Sequence, residues 1–178
     1  MGVGICRRAA PGPDLVMNDV KLRPAVDGDA TAVARIWYLG WQDGHLGNVS
    51  EELSRVRTED SFRRRAGQRI ADTTVAVVAG QVAGFIMVVG DELEQMYVSR
   101  DHRGLGVADV LIAEAERQIG EAGHRTAWLA VVAGNTRARR FYQRSGWSDE
   151  GLFEYQAGSE QGPITVASHR YEKQVAPD

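Results

Sequence analysis

Met96-Tyr97-Val98-Ser99-Arg100-Asp101-His102-Arg103-Gly104-Leu105-Gly106-Val107-Ala108 is the stretch on which the reading of this sequence turns. A strand runs out at Val98, a short loop turns over two glycines, and a helix begins near Ala108. The first N–H groups of a helix lack an intrahelical acceptor and the dipole lies behind them, so such a start offers a seat for phosphate oxygens. Glycine at 104 and 106 removes side chains that would hold a pyrophosphate off the backbone. An Arg-x-x-Gly-x-(Gly or Ala) string alone arises by chance in about one chain in ten of this size and describes only a tight turn. Its place between a strand and a helix is what a phosphate loop requires. It is not a Walker A loop, which needs Gly-Lys-Ser/Thr, and it lacks the glycine spacing of a dinucleotide fingerprint.

Working outward, Glu92 to Val98 reads as the strand leading into the loop. Thr73–Ala79 and Val82–Val89 are β-rich runs joined by Ala79-Gly80-Gln81, a hairpin signal. Further upstream, Ala30, Val33, Ala34 and Trp37 recur at helical spacing after Asp27 and Asp29, and Gly40 reads as the stop. Ser50 and Thr58 are candidate caps for two short helices reaching about Gln68, and Val20 to Arg23 is a first strand. Downstream come a helix over Ala108–Ala122, an apolar strand over Thr126–Val132, and a helix from Asn135 to about Ser145–Gly146. Strands over Trp147–Tyr155 and Ile164–Lys173 finish the chain, joined by a polar loop. This order predicts an α/β fold, a sheet of mixed direction with helices on both faces. Residues 1–19 carry Gly and Pro punctuation without a period, which predicts a disordered leader before a single domain over 20–178, with Met17 a candidate start.

The 178 residues carry a formal charge of −3, and 43% are apolar, as in an ordinary globular protein. An acidic balance argues against nucleic-acid binding. No apolar run approaches the ~18–20 residues that span a bilayer. One cysteine, Cys6, excludes an intramolecular disulfide and a Cys-rich metal site, so a reducing cytoplasm is the expected compartment. The four histidines lack ligand spacing, and no metal is predicted. The basic clusters Arg63-Arg64-Arg65 and Arg137, Arg139, Arg140 read as solvated helix faces, although either could help to hold an anionic ligand.

A second block stands at a fixed distance from the first: Asn135-Thr-Arg-Ala-Arg-Arg-Phe-Tyr142-Gln-Arg-Ser-Gly-Trp147. With this block in place, the chain resembles the Gcn5-related N-acetyltransferase (GNAT) superfamily over roughly residues 20 to 173. Arg103, Gly106 and Ala108 match its Gln/Arg-x-x-Gly-x-Gly/Ala motif, and the second block matches Asn-x-x-Ala-x-x-Phe-Tyr-x-x-x-Gly-Phe/Trp. Glu92-Leu93-x-x-Met96-Tyr97-Val98 matches its fourth strand, and Pro163-Ile164-x-Val166 with Arg170-Tyr171 resembles a bacterial subgroup.

The resemblance implies a mostly antiparallel sheet of six to seven strands whose fourth and fifth strands splay apart. It implies an enzyme that moves the acetyl group of acetyl-CoA, a co-substrate, onto an amine. The pantetheine arm would lie between the splayed strands, bonding main-chain groups at Met96 and Val98 beside Tyr97. The pyrophosphate would rest on residues Gly104, Leu105, Gly106, Val107, Ala108 and Asp109, next to Arg103. Asp109 departs from the family, which usually has a basic or hydroxyl residue there, and an acid would repel phosphate unless turned outward. Glu92 aligns with a family base and Glu94 shares its strand face by alternation, although a bulge would change which one faces the cleft. Both also fit exposed strand-end acids, and many relatives use a water relay instead. Tyr142 is the family's usual acid toward the CoA sulfur, yet with Phe141 and Ala138 it also fits an apolar helix face. Asn135 would cap its helix and touch the pantetheine, and the N–H of Met96 would meet the oxyanion. Trp37, Tyr38, Trp41 and His45 would wall the acceptor side or simply belong to the core. The expected partner is a small-molecule amine, with a homodimer through the late strands. The alternatives are a protein N-terminal or lysine acetyltransferase and a non-catalytic acyl-CoA-binding module.

Overall fold

A computed structural model describes residues 20–175; the predicted leader, with Cys6 and Met17, lies outside them. Among the described residues the chain runs β1 (Lys21–Pro24), α1 (Ala30–His45), α2 (Glu51–Val56), α3 (Glu59–Gln68), β2 (Thr73–Val78), β3 (Gln81–Val89) and β4 (Glu92–Val98). It continues through α4 (Val107–Glu121), β5 (Thr126–Val132), α5 (Thr136–Arg144), β6 (Ser148–Ala157) and β7 (Ile164–Gln174). The seven strands form one sheet in the order β1-β2-β3-β4-β5-β7-β6. Every neighbouring pair is antiparallel except β4 and β5. The fold is the α/β arrangement expected from the element order.

Local chemistry accounts for most of the boundaries. Ala79 and Gly80 both take positive φ (49° and 79°), the two-residue type I′ turn that matches strand twist. Ser50 Oγ accepts the Leu53 N–H and Thr58 Oγ1 accepts the Ser61 N–H, each at 3.2 Å, capping α2 and α3 as the sequence predicts. Gly40 is the exception: it was expected to stop α1, but the helix continues to His45. A Cβ at Gly40 would stand 2.4 Å from Cδ1 of Tyr97, and one at Gly44 would stand 2.6 Å from Nδ2 of Asn135. The two glycines therefore give α1 a bare stripe against which β4 and the start of α5 lie close.

The helices divide between the faces. Leu111, Ala115 and Ile119 of α4 pack with Leu93, Leu129, Tyr142 and Trp147 on one side. Val33, Trp37 and Trp41 of α1, Leu53 of α2, and Phe62 and Ala66 of α3 pack on Val75, Phe85 and Met87 on the other. Trp37, 1% exposed, anchors the second face, meeting Phe62 and Phe85 edge-on at 5.4 and 5.8 Å. Such aromatic contacts each add about 0.5–1.5 kcal/mol beyond the burial itself.

Candidate active site

The site begins where the sheet opens. β4 and β5 meet at one position, Glu92 opposite Trp128, secured by the Trp128 N–H donating to the Asp91 carbonyl at 2.9 Å. Beyond it β4 stays with β3 while β5 pairs with β7 along its full length, and a gap forms between the half-sheets. The Ser99 N–H donates to Ala83 of β3 at 2.8 Å. By alternation Tyr97 also directs its peptide groups to β3, so those of Met96 and Val98 face the gap.

Two cavities converge on this gap. A groove of about 740 Å³ runs between α4 and α5, lined by Val98, Arg103, Gly104, Gly106, Ala108 and Asp109 on one side and by Arg137, Phe141 and Lys173 on the other. A smaller cavity of about 160 Å³ lies under α1, α2 and α3. Met96, Tyr97, Asn135, Ala138 and Tyr142 line both.

The floor of the groove fits a pyrophosphate. Gly104 and Gly106 take φ of 76° and 78°, in the left-handed region. The N–H groups of residues 104–108 donate to no acceptor among the described residues, leaving a row of free donors at the start of α4. Leu105 and Val107 do not line the groove with their side chains; Val107 is buried in the core at 1% exposure. Asp109 is exposed at the groove's edge, free of any ion pair among the described residues. Arg103 lines the groove but its guanidinium is held at 2.7 Å by Asp43 of α1, which also holds Arg100 at 2.6 Å. Hydrogen bonds from Arg100 first, and from Arg103, bring the Asp43 carboxyl down to about 2 despite its partial burial. Asp43 thus ties α1 to the loop that precedes α4.

The smaller cavity holds the candidate proton acceptors. Opposite Met87 and Val88 of β3 stand Gln95 and Leu93, so Glu94 is the extra residue of a β-bulge. Glu92 and Glu94 both line the cavity with Gln95. Glu92 accepts a hydrogen bond from the Tyr155 hydroxyl at 3.0 Å. Burial raises its carboxyl above the ordinary range, with Tyr155 pulling the other way and Glu94 and Asp91 adding to the rise. Glu94 is instead gripped by Arg69 at 2.6 Å. Tyr142, 8% exposed, stands between the cavities, and its hydroxyl has no hydrogen-bond partner among the described residues. Burial foremost, and then Tyr97, push that phenol up. Asn135 Oδ1 accepts the Ala138 N–H at 3.1 Å, capping α5.

Of the residues expected to wall the acceptor side or belong to the core, Trp37, Trp41 and His45 line the smaller cavity, and Trp37 and Trp41 are also buried in the core. Tyr38 does not line it and packs on Phe62. His45 stacks on Trp41 at 5.0 Å and its Nδ1 donates to the Trp41 carbonyl at 3.0 Å. Nδ1 must carry the proton there, since a carbonyl only accepts, which leaves Nε2 with a lone pair. Burial lowers its pKa to about 4, so the ring is neutral.

Arg57, Tyr155, Arg144 and Lys173 were not singled out from the sequence: the first two line the smaller cavity and the last two the groove. Arg65 and Arg137, from the two basic clusters of the sequence, line the smaller cavity and the groove respectively. Asp43 is separated from Arg100 by 57 positions and Tyr155 from Glu92 by 63, so no local spacing could pair them. Among the described residues no cluster of three or more His, Cys, Asp or Glu is placed to hold a metal, and no helix is long and apolar enough to cross a membrane.

Comparison with known proteins agrees with this geometry. An uncharacterized N-acetyltransferase of Mycobacterium tuberculosis is 29% identical over 85 residues, covering 45% of this chain and 54% of the relative. The match thus spans about half the length of that relative. A Gcn5-related N-acetyltransferase from Rhodopseudomonas palustris superposes with a TM-score of 0.69 at 24% identity, covering 90% of this chain and 98% of the other. A putative acetyltransferase from Salmonella typhimurium, solved with its cofactor acetyl-CoA, gives 0.65 at 17% identity, with 90% and 98% covered. The acetyltransferase (GNAT) family profile matches residues 32–147, more than half of the sequence and all of the phosphate loop and gap, and the chain belongs to that family.

Proposed function

We propose that this protein transfers the acetyl group of acetyl-CoA to the primary amine of a small molecule by direct attack of the bound amine on the thioester. The observation that carries this reading is the meeting of the two cavities at Met96, Tyr97, Asn135, Ala138 and Tyr142, where β4 and β5 part. The groove between α4 and α5 takes the CoA moiety: the N–H row of residues 104–108 receives the pyrophosphate, and the gap edge of β4 bonds the pantetheine through Met96 and Val98. CoA supplies the activated thioester; the protein supplies position, proton traffic and charge stabilisation. The Met96 N–H faces the gap, where negative charge develops on the thioester oxygen. Glu92 accepts the proton of the attacking ammonium, a task for which a raised carboxyl is better matched than an ordinary one. The Tyr142 hydroxyl returns a proton to the departing sulfur. Glu94, engaged by Arg69, keeps the bulge in place.

A small acceptor is favoured over a peptide because the cavity is roofed. Arg57 reaches from the end of α2 to the Gly158 carbonyl at 2.8 Å, and Arg64 of α3 pairs with Glu160 at 2.6 Å. Both links close the loop between β6 and β7 over the acceptor side. The test is calorimetric titration with acetyl-CoA, CoA and ATP, followed by a thiol-release assay over small amines and over peptides. Binding of CoA and not ATP, with release on small amines, is the expected result. Release on peptides alone would move the acceptor to a protein, and failure to bind CoA would overturn the reading.

A further inference from the structure

The smaller cavity contains two guanidinium groups that form no ion pair with a carboxylate among the described residues. Arg57 is 8% exposed, and its hydrogen bond runs to the Gly158 carbonyl, a neutral acceptor. Arg65 lies with its guanidinium 4.6 Å over the Trp37 ring. Several other arginines are paired: Arg23, Arg69, Arg100, Arg103, Arg117 and Arg139 each meet a carboxylate. Here the neighbouring acids are engaged otherwise, Glu94 by Arg69 and Glu92 by Tyr155. Burial, and then the charge of Arg65, lower Arg57 to about 10; burial also lowers Arg65, against the pull of Glu94. Two like charges set close together out of water are unfavourable unless an anion joins them.

We infer that the acceptor is a carboxylate-bearing amine, an amino acid or a close analogue, whose carboxylate lies between Arg57 and Arg65 and whose amine is presented to Glu92. The inference rests on the acetyltransferase reading above. A guanidinium offers paired donors in a plane that matches the two oxygens of a carboxylate. An amine without an anion would bring its ammonium toward two fixed positive charges and be repelled. A zwitterion places a negative group on the arginines and a positive one beside the acid. Glu92, Arg57 and Arg65 line one cavity, and Tyr155 interacts with all three.

Matched substrates test this: the common amino acids, their primary carboxamides and their decarboxylated amines, each in thiol release with acetyl-CoA. The best free acid is expected to exceed its carboxamide roughly 10- to 100-fold in kcat/KM, the range of a charge-assisted contact. Arg65→Gln and Arg57→Gln should each erase most of that preference while the KM for acetyl-CoA stays within about twofold, since neither residue lines the groove. Arg65→Gln carries the test if the Arg57 variant fails to fold. Carboxamides or decarboxylated amines used as well as the acids, or a preference unchanged in Arg65→Gln, would overturn the inference and leave the acetyltransferase reading standing. If CoA binds but no amine turns over, calorimetry of N-acetyl amino acids and their carboxamides on the CoA-bound protein decides. Acid-selective binding lost in Arg65→Gln supports the inference, and equal or absent binding overturns it. Failure of CoA to bind strikes the underlying reading and takes this inference with it.

Discussion

Single atoms separate the proposed proton carriers of this site from ordinary surface groups. Glu92 differs from Glu94 by its partner: the Tyr155 hydroxyl donates to Glu92 at 3.0 Å, whereas the Arg69 guanidinium grips Glu94 at 2.6 Å. Glu92→Gln keeps an oxygen for Tyr155 to donate to and removes only the proton acceptor. It should lower kcat about 10²–10⁴-fold with the melting temperature unchanged or higher, because a charge kept from water is removed. Tyr142→Phe should lower kcat by about 10²-fold with little change in CoA affinity, measured by steady-state kinetics beside calorimetry. Asp109 is an acid at the lip of the groove proposed to take the pyrophosphate. Asp109→Asn should tighten CoA binding about 3- to 10-fold at low salt, and the gain should shrink as ionic strength rises. An unchanged CoA affinity would mean that the Asp109 carboxylate does not act on the bound phosphates.

At the level of elements, the site depends on α1 lying tight against β4. Gly40 is mid-helix, where alanine would add up to about 1 kcal/mol of helix propensity. Yet its missing Cβ is the space that the Tyr97 ring occupies. Gly40→Ala should therefore destabilise the protein by about 1–3 kcal/mol, as overpacking does, and should weaken CoA binding, because Tyr97 lines both cavities. Denaturant unfolding would show it; a variant more stable than the parent would mean that Tyr97 moves aside freely. The bulge at Glu94 acts on the same element. The Gln95–Met87 pairing puts Gln95 on the face that Met87 buries, so Glu94 and Gln95 share that face.

Across the whole molecule, stability should follow pH through groups that bridge elements. In the native state His45 has a pKa of about 4, against about 6.5 unfolded. Between those values the unfolded chain binds more protons, so stability falls as pH is lowered from about 6.5 toward 4. Asp149 joins α5 to β7: burial would raise it, but His169, the Gly151 N–H and Arg139 outweigh that and bring it to about 2. Asp43 joins α1 to the loop that precedes α4 at a similar value. Their contributions are complete above about 3.9 and are lost as pH falls toward 2. Glu92, being raised, works in the opposite sense, so the His45 share is read as the difference between the parent and His45→Gln. Melting temperatures should decline below about pH 6.5 and steepen below about pH 4, with the upper part of the decline absent in His45→Gln.

The sequence by itself determined the order of elements, the glycine loop that opens α4 and the two blocks that name the family. Those features are local: a glycine pair at a helix start, an asparagine three residues before the N–H it caps, the period of an apolar face. It also marked Glu92, Glu94, Tyr142 and Asn135, though not that Tyr155 would partner Glu92 and Arg69 would partner Glu94. Tertiary structure decided what depends on contacts between distant positions. Gly40 looked like a stop because a missing side chain reads as a break along the chain, while across space it is clearance for Tyr97. Arg65 looked like part of a solvated cluster. Of its neighbours, Arg63 pairs within its own helix and Arg64 with Glu160, and Arg65 alone of the three turns into the cavity beside Arg57. Charge follows from composition, but whether a charge is paired depends on which elements the fold brings together.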